Sequence, residues 1–114
     1  MIDRKKFNEN FQYFDKEIVV EIIDIFDSEF NDRFAAIQKS IDDKDFVQLK
    51  FNAHSLKGVI ANFMDPAAIE LSRKLDEVAK MKETHGLQEL YNELFSSSKN
   101  LREELKEIKK EFTS

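Results

Sequence analysis

The sequence predicts an all-α protein: an antiparallel up-down four-helix bundle preceded by a short additional N-terminal helix. Three observations predict it. Breakers are scarce, with two glycines and one proline among 114 residues, so few positions interrupt a helix. Apolar residues recur at steps of three and four over long stretches, the period of one buried helical stripe. The stripes are separated by short polar breaks, and short connections set consecutive helices antiparallel.

Phe7, Phe11 and Phe14 mark the first short helix, read as a lid on the bundle. A long helix follows from about Lys16 to Ile41, with Val19, Ile22, Phe26, Phe30, Phe34, Ile37 and Ile41 on its stripe. "DDKD" breaks that pattern, and Asp45 with Gln48 resembles a capping box opening the next helix. This helix carries Phe46, Leu49, Ala53, Leu56, Ile60 and Phe63 on one side. Asp65 and Pro66 read as N-cap and first residue of a helix bearing Ala68, Leu71, Leu75 and Val78. "ETHG" is expected to end it, with Gly86 as the stop. The last helix runs from Leu87 through Tyr91, Leu94, Leu101, Leu105, Ile108 and Phe112. Ser96, Ser97 and Ser98 lower its propensity without breaking its stripe.

The length suits one core, so residues 1–114 are expected to form a single domain. Charged residues make up 36% of the chain, against roughly 25% in globular proteins generally. A small body with a large solvated surface accounts for the excess. The net charge of -5 leaves no basic excess to neutralise phosphates, so no nucleic-acid partner is expected. The absence of cysteine excludes disulfides and thiolate metal sites. "MIDRKKF" lacks the apolar core of a signal peptide, and "FAAI" is far too short to cross a bilayer. A free-standing, cytoplasmic, monomeric domain without a membrane partner is the expectation.

His54 raises the functional question. With about 100° per residue, Leu49, Leu56, Ile60 and Phe63 fall opposite His54 on their helix. The stripe that faces the core therefore turns the histidine toward water. Lys50, Lys57, Gly58 and Ala61 surround it, with Phe51 and Val47 one and two turns earlier. Small and apolar residues around an exposed polar ring make a docking surface of Val47, Phe51, Gly58 and Ala61. Elsewhere the exposed faces are mostly Asp, Glu and Lys.

Glycine inside a helix costs roughly 1 kcal/mol relative to alanine, so Gly58 needs an offsetting role. It lies one turn beyond His54, where a missing side chain clears space beside the ring. Lys57 can bring an ammonium to whatever the imidazole holds. An exposed imidazole, a nearby cation and open approach suit phosphoryl transfer through histidine. Imidazoles generally titrate near pH ~6.5, so a large fraction is neutral and nucleophilic around neutrality.

"AHSLKG" followed by "ANF" closely resembles the histidine-containing phosphotransfer (HPt) domains of multistep two-component signalling. The resemblance spans nearly the whole chain. It implies that His54 accepts a phosphoryl group from the aspartate of one receiver domain and passes it to another. It implies further that Lys57 stabilises the phosphorylated form and Gly58 admits the receiver. The partners would be receiver domains of response regulators and hybrid sensor kinases. The family often places a polar residue on the next helix to hydrogen-bond the imidazole, and "KLDEVA" brings Asp76 to that position. Two positions depart from the pattern. Glycine is common where Met64 stands, so a different turn is expected there, and Val59 replaces a small or hydroxyl residue.

Other signals are weaker. His85 lies in a loop and reads as a solvated residue, and no third ligand joins it to His54 in a metal site. Paired Glu-x-x-His motifs of diiron bundles are absent. Asp42 and Asp43 lie in a loop with no implied pocket, and no Walker-type loop exists. The expectation is a phosphocarrier without cofactor, ATP site or turnover of its own. The rival reading is a docking module that binds receivers or other signalling domains without phosphorylation.

Overall fold

Aspartate side chains cap the starts of two of the central helices, and lysines in left-handed conformation follow the ends of two of them. The computed structural model describes residues 1–113, which form five α-helices and one 3-10 turn. They are α1 (Arg4–Phe11), α2 (Lys16–Asp42), α3 (Phe46–Ile60), a 3-10 turn (Ala61–Phe63), α4 (Pro66–Lys80) and α5 (Leu87–Thr113). Asp45 caps α3 by accepting from the Gln48 N–H, and Asp65 caps α4 by accepting from Ala67 and Ala68. Pro66 follows as the first helical residue, where its missing N–H costs nothing.

The helix stops differ from the expected glycine signal. Lys44 (φ 52) and Lys82 (φ 55) adopt the left-handed conformation after α2 and α4. Asp45 N–H donates to the Ser40 carbonyl at 2.9 Å, and Glu83 N–H donates to that of Val78 at 3.1 Å. Each closes a Schellman motif around its lysine. α4 therefore stops at Lys80, ahead of "ETHG". Gly86 (φ 72) instead opens α5, its carbonyl accepting from the Leu90 N–H at 3.0 Å.

α2, α3, α4 and α5 pack in a ring, each against its neighbours in sequence, with α5 returning to α2. α2 and α5 have 27 residues each, and α3 and α4 have 15. The short pair ends well before the long pair, and α1 lies across the turn between α3 and α4. Asp3 N–H donates to the Met64 carbonyl at 2.8 Å, and Asn10 Nδ2 donates to that of Asn62 at 3.1 Å. Ile2, Phe7 and Phe11 are buried beneath this lid. Phe14 is not part of α1; it lies beyond its end, half-exposed, edge-on to Phe11.

An aromatic column from α2 fills the middle: Phe26, Phe30 and Phe34 stack against Phe63, Phe95 and Tyr91. Burying each such ring stabilises the fold by roughly 1.5–3 kcal/mol. The stripes deviate from expectation in two places. Ile23, not Ile22, is buried on α2. On α4 the deepest positions include Ser72 and Asp76, while Leu71 and Val78 are only half-buried. α4 packs between α3 and α5, so two neighbours cover its polar positions. Among the described residues, no helix is long and apolar enough to cross a membrane.

Candidate functional site

His54 lies midway along α3 with its side chain 66% exposed, on the side opposite Leu49, Leu56 and Ile60. Val47 and Phe51 are strongly exposed on the same helix. Gly58 is exposed, and a Cβ built there would meet no atom within 4 Å. The glycine therefore serves no close packing within the chain. Ala61 is also exposed, but it opens the 3-10 turn because α3 ends at Ile60. The structure thus gathers these residues along one face, with Ala61 at its rim.

Asp76, on α4, reaches this face from below. Its side chain is 3% exposed, yet three nitrogen-bearing side chains converge on it. Lys57 Nζ donates to Oδ2 at 2.7 Å, and Lys80 Nζ lies 3.2 Å from the same oxygen. The other oxygen, Oδ1, lies 3.5 Å from His54 Nδ1 and has no hydrogen-bond partner. Burial pushes the carboxyl upward, but hydrogen bonds from Lys57 and then Lys80 outweigh it and hold Asp76 below the usual carboxylate range. An ionised carboxylate accepts only, so Oδ1 calls for an N–H on the facing ring nitrogen.

A neutral imidazole with its proton on Nδ1 would meet that demand. A proton on Nδ1 facing Asp76 leaves the Nε2 lone pair directed away from α4. Lys57 is therefore not a free surface ammonium, as its exposed position in the sequence suggested. It is half-buried and committed to Asp76. On the other flank, Arg33 of α2 donates to Ser55 Oγ at 2.9 Å and to Glu29 at 3.0 Å, fixing α2 against α3 beside the histidine.

Lys80 was missed in the sequence. Its signal was present, because a lysine four residues after an aspartate shares its helix face. Met64 corrects an expectation about the turn. It takes φ 58 and ψ 41, the left-handed conformation that glycine favours. The turn is the one a glycine would make, at a cost of about 1–2 kcal/mol for an L-residue. Packing of Met64 against the core and the bond from Asp3 to its carbonyl offset that cost. Val59 is half-buried against the core, so it does not bear on the His54 face. Among the described residues, no group of three or more His, Cys, Asp or Glu could hold a metal ion.

A family model described as the Hpt domain matches residues 21–111. The chain belongs to the Hpt domain family. The match runs from the first turns of α2 almost to the end of α5, leaving α1 outside it. Hpt domains are phosphocarrier modules of two-component signalling, and they are helical bundles, as this chain is. No curated protein and no solved structure matches the chain.

Proposed function

We propose that this Hpt domain is a phosphorelay intermediate: His54 accepts a phosphoryl group from a receiver-domain aspartate and delivers it to another receiver. The observation that carries the reading is the unpartnered Asp76 Oδ1 aimed at His54 Nδ1. Asp76 keeps the ring oriented, and Nε2 attacks phosphorus in line with the acyl-phosphate oxygen. The N–P bond forms as the P–O bond breaks, and the receiver's aspartate leaves as its carboxylate. The ring gains positive charge in this step while retaining its Nδ1 proton. The neighbouring Asp76 carboxylate stabilises that charge from the side of the ring opposite the phosphoryl group.

In this reading the acid beside the imidazole does not repel the phosphoryl group. The carboxylate and the phosphoryl group occupy opposite edges of one ring. Lys57 compensates the phosphoryl oxygens, and the open surface at Gly58 lets a receiver reach Nε2 in line. Val47, Phe51 and Ala61 supply apolar contact around it. The domain has no ATP site or turnover of its own in this reading, and the receivers contribute the remaining catalytic groups. In this reading it acts in the cytoplasm as a monomer.

Incubation with phosphorylated receivers tests this directly. Acid-labile, alkali-stable label is expected on the wild type and none on His54→Gln, which keeps the fold because the ring is outside the core. Receivers that bind without transferring label would support the docking module instead.

A further inference from the structure

We propose that Lys80 is a positioning residue that takes over Asp76 when Lys57 turns to the phosphoryl group. The inference rests on phosphorylation of His54 and concerns how the site rearranges around it. In the resting site both lysines share Asp76 Oδ2, Lys57 at 2.7 Å and Lys80 at 3.2 Å. Two cations on one oxygen are more than the resting carboxylate needs. A phosphoryl group on Nε2 lies across the ring from Asp76, so Lys57 must leave Oδ2 to contact it.

Without a second cation, that departure would strand a carboxylate whose side chain is 3% exposed. A buried charge that loses its partner is strongly destabilised, so Asp76 would hold Lys57 back. Lys80 removes the conflict. It lies one helical turn from Asp76, and its own side chain is 49% exposed, so its stem can adjust without disturbing the core. The neighbouring Arg73 of α4 is engaged by Glu70 and Glu77, each at 2.8 Å, and Arg33 of α2 is engaged by Glu29 and Ser55. These cations are committed elsewhere. Lys80 is thus the relief ligand that lets one lysine serve two anions in turn.

Phosphoramidate tests this without a receiver. Its P–N bond breaks, ammonia leaves, and the phosphoryl group passes to His54 Nε2. The rate of labelling is compared for the wild type, Lys80→Met, Lys80→Arg, Asp76→Asn and the Asp76→Asn/Lys80→Met double variant. Thermal melting serves as the folding control. Lys80→Met should melt like the wild type and label roughly five- to tenfold more slowly, the scale of one charged contact. Lys80→Arg should restore the rate. In the Asp76→Asn background, Lys80→Met should change nothing further, because Lys80 acts through that carboxylate.

A wild-type rate in Lys80→Met would overturn the proposal. So would a rate defect that persists in the Asp76→Asn background, since Lys80 would then touch the phosphoryl group itself. Absence of label on wild-type His54 would instead overturn the phosphorelay reading.

Discussion

α4 carries two buried aspartates with opposite fates. Asp65 caps its start, and Oδ1 accepts from the backbone N–H groups of Ala67 and Ala68 and from the Met1 amino group. Asp76 sits in the middle of the helix, where backbone N–H groups are already used. Its partners are two lysine side chains, and one of its oxygens faces an exposed imidazole unpaired. Both residues are nearly inaccessible to solvent. Burial therefore does not distinguish a structural acid from one proposed to serve the histidine. The donors do: backbone donors cannot leave, whereas lysine ammoniums can.

Asp76→Asn should break this comparison most strongly. It keeps the shape but gives up the charge that fixes the tautomer, so phosphoryl acceptance should fall by about ten- to a hundredfold. Stability at neutral pH should fall by about 1–2 kcal/mol, because the bonds that Lys57 and Lys80 make to the ionised carboxylate are lost. The pH dependence follows from the depressed pKa of Asp76. A carboxyl with a lower folded than unfolded pKa contributes stability above the unfolded value, about 3.9. That contribution is lost as pH falls through the folded pKa. Acid melting curves should show the loss in the wild type and not in Asp76→Asn.

Lys57→Ala should affect both properties. It slows labelling, and because Lys80 still pairs with Asp76, a destabilisation of only about 0.5–1 kcal/mol is expected in denaturant titrations. A surface lysine would have cost almost nothing. Asp65→Ala should lose about 1–2 kcal/mol through the missing cap while His54 labels at the wild-type rate. A transfer defect in that variant would erase the distinction between the two acids. The smallest effect is expected at Gly58→Ala, which has open space for its methyl group. It should stabilise by roughly 0.4–1 kcal/mol in the same titrations.

The bundle was legible because breakers were few and the apolar period was long. The N-caps at Asp45 and Asp65 were equally readable, since a side-chain oxygen before a helix start has a local purpose. Helix stops were less legible. Lys44 and Lys82 carry no sign that they will adopt positive φ, and Gly86 looked like a stop while serving as a start. The candidate site divides similarly. The helical angle alone separates His54 and Gly58 from the core stripe. The pairing of Lys57 with Asp76 spans two helices, and its geometry depends on how α4 rotates against α3. No residue pattern within either helix specifies that rotation, and the burial of Ser72 and Asp76 departs from an apolar stripe.

The central claim is that Asp76 orients His54 so that Nε2 carries the phosphoryl group. Phosphorus–nitrogen couplings in the labelled, ¹⁵N-enriched protein report which nitrogen bears phosphorus. The account predicts a single phosphohistidine at residue 54, bonded through Nε2, with the proton on Nδ1 facing Asp76 in the resting protein. Phosphorus on Nδ1 of His54, or on His85, would contradict it.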